Sequence, residues 1–104
     1  MKYYYGNTKD GLFHDDSGNA VYIRLDVDGT VKSMYKGSFS KGYFEDATGN
    51  AWNLVYWDSE GYYICNSGVF KNGTAERLST LKVEPETMQD VIAEIDIPFE
   101  LKWK

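Results

Sequence analysis

The sequence predicts an α+β fold: an antiparallel β meander of repeated hairpins, followed by one C-terminal amphipathic helix and a final strand. Three observations carry this. Gly6, Gly37 and Gly68 recur at one constant interval, and Gly11, Gly42 and Gly73 recur at the same interval. The stretch from Tyr4 to Ala20 returns from Tyr35 to Ala51 without a gap, with eight identities in seventeen positions. After Val83 the short alternating segments give way to the 3.6-residue spacing of a helix.

The repeated stretch reads Tyr4-x-Gly6-x4-Gly11-x-Phe13-x-Asp15-x-x-Gly18-Asn19-Ala20, then Tyr35-x-Gly37-x4-Gly42-x-Phe44-x-Asp46-x-x-Gly49-Asn50-Ala51. A truncated third copy, Gly68-Val69-Phe70-Lys71-Asn72-Gly73, keeps both glycines and the phenylalanine of Gly37–Gly42. Such internal periodicity means that one small β unit is used about three times.

Each element has its own signal. Val21, Ile23 and Leu25 share one face of a strand, with Tyr22, Arg24 and Asp26 on the other. In the next unit Trp52, Leu54 and Tyr56 take the core face, while Val55 and Trp57 make the outer face apolar as well. Asp15 and Asp46 precede Gly18 and Gly49 by three residues, which predicts turns opened by an aspartate and closed by a left-handed glycine. Asp28-Gly29, Glu60-Gly61 and Asn72-Gly73 predict hairpin turns. Beyond residue 83, Pro85 suits a first helical turn. Met88, Val91, Ile92 and Ile95 form one helical face. Pro98 ends it, and Phe99 to Lys104 alternates as a strand.

The 104 residues predict a single domain, with repeated hairpins over 1–83 and helix plus last strand over 84–104. Sixteen acidic against eleven basic residues give a net charge of −5. That balance argues against direct nucleic-acid binding and against docking on an anionic membrane. It leaves open a protein partner with a basic surface. The segment Met1–Gly6 lacks the apolar stretch of a secretory signal, so a cytoplasmic protein is expected. An unpaired edge strand leaves homodimerisation open.

Catalytic and metal-binding constellations are weak. His14 is the sole histidine and Cys65 the sole cysteine, so a disulfide, a multi-cysteine metal site and a cysteine–histidine catalytic group each lack residues. His14 is expected in a partly exposed turn and Cys65 in strand packing. Asp26-Val27-Asp28-Gly29 imitates the opening of a calcium loop, but Tyr35 stands where its closing glutamate belongs. No cofactor and no metal are expected.

Tyr35-Lys36-Gly37-Ser38-Phe39-Ser40-Lys41-Gly42 resembles the MORN repeat, a hairpin unit with Tyr-x-Gly-x-aromatic spacing. The resemblance implies a curved β array that serves as a binding scaffold without catalysis. The sequence departs from it in its longer period, in lacking the closing Gly-x-Gly, and in Thr8 at the aromatic position.

Nine tyrosines hold the functional content. Tyrosine combines contact area, low entropy cost and a polar tip. The expected binding residues are Tyr22, Trp57, Val55 and Tyr35. The expected function is non-enzymatic protein binding, of the kind served by small acidic bacterial or phage inhibitor or immunity-type proteins. The alternative is an aromatic-lined module for a carbohydrate or small molecule; a carboxylate-dependent enzyme ranks third.

Overall fold

A computed structural model describes residues 1–84, 95 and 97–104. The strands are β1 (Lys2–Tyr5), β2 (Thr8–Lys9), β3 (Leu12–Phe13), β4 (Asp15–Leu25), β5 (Val31–Ser40), β6 (Tyr43–Phe44), β7 (Asp46–Trp57), β8 (Tyr62–Lys71) and β9 (Thr74–Val83). The main sheet runs β1-β4-β5-β7-β8-β9, with β6 folded back on β5, and β2-β3 form a separate hairpin. Every pairing between these strands is antiparallel.

The fold is therefore all-β, and the α+β expectation is corrected: no helix occurs among the described residues. Met88, Val91 and Ile92, on which the helix was expected, lie outside the described residues. Ile95 is buried in the sheet's core, so its apolar character serves sheet packing. The expected last strand is also corrected, to a single parallel bridge between Thr30 and Lys102. The alternation there is real but does different work. Leu101 is buried and Phe99 and Trp103 partly so, while Glu100 and Lys102 face water and the Lys104 side chain turns in to Asp26. Side-chain anchoring, rather than a ladder of backbone bonds, holds this segment to the sheet.

Period-two alternation gives the sheet two different faces. One carries Val21, Ile23, Val31, Met34, Leu54, Tyr63 and Val83, covered by Ile95 and Leu101. Phe99 lies 5.1 Å from Tyr3 and 6.4 Å from Tyr5, ring centre to ring centre. The Tyr63 hydroxyl donates to the Val31 carbonyl at 2.7 Å and accepts from the Lys104 amide at 3.1 Å. Trp52 and Tyr56 pack against this core, on the face their spacing predicted.

The opposite face is built by the repeat. Tyr4 stacks on Phe13 at 3.9 Å, and in the next unit Tyr35 stacks on Phe44 at 4.0 Å. Each pair is closed edge-on by a phenylalanine of the unit that follows it. Phe39 stands 5.1 Å from Tyr4, and Phe70 stands 5.1 Å from Tyr35. Edge-to-face and offset contacts of this kind add about 0.5–1.5 kcal/mol beyond area burial. Thr8, at the aromatic position of the first unit, closes no stack among the described residues. The third unit has Asn66 and Ala75 where the stacking pair would be, so the pile ends there. Atypical end units are what a stacked repeat requires.

Backbone chemistry repeats in step. The tyrosine hydroxyls donate to the carbonyls of Asn7 at 2.6 Å and Ser38 at 2.8 Å, curling over Gly6 and Gly37. A Cβ on Gly37 would stand 2.5 Å from the Tyr35 hydroxyl and 2.7 Å from the Ala51 Cβ, which leaves no room for a side chain. The three small hairpins turn at Asp10-Gly11, Lys41-Gly42 and Asn72-Gly73, with positive φ at both residues of each. That is the type I′ turn that matches strand twist.

Asp15 and Asp46 open β4 and β7 at a register break rather than in a free turn. Asp46 accepts hydrogen bonds from the Ser38 amide at 3.0 Å, the Thr48 amide at 2.9 Å and the Thr48 hydroxyl. Asp15 repeats the arrangement with Asn7 and Ser17. Burial pushes the Asp46 carboxyl up, but the bonds from Thr48 and Ser38 outweigh it and hold the group below the usual carboxylate range.

Gly37→Ala is expected to lower unfolding stability by about 1–3 kcal/mol through overpacking, read by urea denaturation. Because the folded Asp46 value lies below the unfolded one near 3.9, its contribution is fully present above about pH 4 and is lost as pH falls through the folded value. Asp46→Asn should therefore be about 1–3 kcal/mol less stable at neutral pH. It should also show a shallower acid-unfolding profile, measured by circular dichroism against pH.

Candidate binding face

Among the described residues, the aromatic pile leaves part of its own face uncovered. Register places Lys2, Arg24, Ser33, Val55 and Ile64 in one row across the sheet, and Tyr22, Tyr35, Asn53 and Asn66 in the next. Trp57, paired with Tyr62, continues the same face beyond Val55. An open groove of about 440 Å³ lies here, within the range of about 300–1,000 Å³ usual for ligand pockets. Its lining includes Tyr22, Arg24, Lys32, Phe44, Asn53 and Val55.

One wall of the groove is the flank of the aromatic pile. The Tyr22 ring lies 5.9 Å from Phe13 and 6.3 Å from Phe44, and Phe44 is in turn stacked on Tyr35. The floor is fixed by side-chain amides: Asn66 donates to the Asn53 carbonyl oxygen at 3.0 Å and accepts from the Thr80 hydroxyl at 2.9 Å. Both wall and floor are thus held by neighbours on other strands, which limits their freedom before any partner arrives.

The expected binding residues separate on this geometry. Tyr22 and Val55 line the groove, and Trp57 stands beside it with 48% of its surface exposed. Tyr35 does not belong to a surface, because it is fully buried in the pile. Its pairing with Tyr22 put it on the correct face, but the folded-back β6 covers it with Phe44. Sequence reasoning missed Lys2, Lys32 and Asn53. Arg24 was visible on the outer face of its strand, but nothing in the sequence brought Lys2 beside it.

The remaining reactive groups fall elsewhere. His14 is partly exposed, its amide donating to Asn7 as Glu45 does to Ser38 one unit later. The Asp26–Gly29 segment forms a turn in which the Lys104 ammonium sits 2.8 Å from Asp26 and 3.9 Å from Asp28. A protein cation takes the place that the calcium-loop imitation would offer. Among the described residues no group of three or more metal-binding side chains occurs. Nor is any helix long and apolar enough to cross a membrane found among them.

No protein-family model, curated protein or solved structure matches the chain.

Cys65 is half-buried on the core face between Leu54 and Leu81, and burial pushes its thiol up. The thiolate is the reactive form. Iodoacetamide at neutral pH should therefore label Cys65 in the folded protein about tenfold more slowly than in urea, as followed by mass spectrometry.

Proposed function

We propose that this protein is a non-enzymatic recognition module that grips another protein with the open face of its sheet. The observation that carries this reading is Trp57, a large indole half exposed on a strand, two residues beyond Val55 on the face that also carries Tyr22. Trp, Tyr and Arg dominate binding hot spots because they give large contact areas at a small ordering cost. Tyr62, opposite Trp57, lies under the Lys82 ammonium at 4.6 Å, which extends the patch toward β9.

The MORN-like spacing around Tyr35 and Gly37 supports a scaffold role, since each unit contributes packing rather than reactive groups. We extend the proposal to the inhibitor or immunity-type class, on the acidity of the chain and on a face that offers aromatic contact area. The cytoplasm is part of the proposal, because a lone half-buried thiol suits a reducing compartment. The concavity beside Tyr22 favours a second reading, a ring-bearing small ligand seated in the groove.

A photo-crosslinking phenylalanine analogue placed at position 57 should give one covalent protein adduct in lysate of the source cells. The same analogue at Leu81, exposed on the opposite face, should give none. Equal adducts from both positions, or none from position 57, would overturn the proposal. Val55→Asp should abolish the adduct without unfolding the protein.

A further inference from the structure

The groove has the opposite charge to the molecule around it. Lys2, Arg24 and Lys32 line it and no acid does so among the described residues, although acids outnumber bases overall. Their placement is electrostatically unfavourable in the unbound protein. Lys2 and Arg24 face each other directly across the β1–β4 pair, and like charges so placed destabilise an antiparallel ladder. Lys32 joins them because the register slips between Arg24 and Leu25, which leaves Lys32 without an opposed residue. A bulge of this kind re-aims a side chain.

Among the described residues none of these three cations belongs to an ion pair. Asp26, whose carboxylate feels the Lys32 charge, is already held by Lys104 at 2.8 Å. Around the cations stand Tyr22, Phe44 and Val55 as apolar walls, with Ser33 and Asn53 as polar partners. The groove is partly open to solvent, so its occupant need not be enclosed by it.

We infer that this groove selects an acidic segment of a partner protein, seating carboxylates on Lys2, Arg24 and Lys32 and an aromatic or aliphatic side chain against Tyr22. The inference rests on the reading of the open face as a protein-binding surface, and it reverses the basic partner that net charge alone suggests. Net charge governs long-range encounter; the sign of the groove governs which segment docks.

The test is an NMR titration of the ¹⁵N-labelled full chain with two capped pentapeptides. One alternates glutamate with phenylalanine and valine; the other replaces each glutamate by lysine. The acidic peptide should shift the amides of Arg24, Ser33 and Asn53 saturably, about tenfold more tightly than the basic one. Its affinity should fall about tenfold from low salt to about 0.3 M. The double variant Arg24→Gln/Lys32→Gln, with its fold checked by circular dichroism, should lose the preference. The salt series on the wild-type chain tests the same point without mutation.

Equal affinity for the two peptides would overturn the charge selection and leave the open face standing as an interface. Absence of shifts with both would overturn the inference, while the crosslink at position 57 judges the broader reading independently. Phenylacetate alone binding as tightly as the acidic peptide would replace the peptide segment by a small organic anion, and would also overturn it.

Discussion

The Tyr35 hydroxyl, folded over Gly37 to reach the Ser38 carbonyl, is the contact on which the architecture turns. It fixes the ring's direction, and the ring then stacks flat on Phe44 and meets Phe39 and Phe70 at near right angles. A buried phenol needs a polar partner, and the missing Cβ at Gly37 gives it a path to one. Tyr4 over Gly6 repeats the device one unit earlier. Without these two contacts β6 and the β2–β3 hairpin would have no fixed place to fold back, and the groove would lose its wall.

Repetition also decides which part of the sheet stays bare. The pile covers the sheet only as far as Phe44 and Tyr22 reach, and beyond them lie Arg24, Ser33, Val55 and Trp57. The centre of the other face is covered by Ile95 and Leu101, with Tyr63 bonded to Val31 and Lys104. A molecule of net charge −5 thereby exposes a local patch of the other sign. Bulk composition could not reveal this, since only the pairing of β1 with β4 brings Lys2 beside Arg24.

Much of the sheet was legible because its signals are local. Alternation in Val21–Leu25 and Trp52–Tyr56 identified the core face, and Asn72-Gly73 and its counterparts marked the turns. The helix-like spacing after Val83 rests on Met88, Val91 and Ile92, which lie outside the described residues; Ile95 meets the sheet core, and periodicity alone does not say which surface an apolar residue will meet. Phe99 to Trp103 alternated without becoming a strand, since alternation reports burial of every second side chain and not the presence of a hydrogen-bonding neighbour. Of the expected binding residues, Tyr22, Val55 and Trp57 share the open face, as strand parity placed them. Tyr35 shares that parity but lies under Phe44, a tertiary contact invisible to any local pattern.

The asymmetry of the pile's two ends has a consequence for how such a chain can change length. Phe39 serves the unit before it, and Tyr35 with Phe44 receives Phe70 from the unit after it. A middle unit is therefore donor and acceptor at once, whereas Thr8 and the Asn66/Ala75 pair terminate the series on either side. Splicing in a second copy of the middle cassette would satisfy every join with contacts already present. The molecule is thus a short polymer with built-in terminators, extensible from its interior and not from its ends.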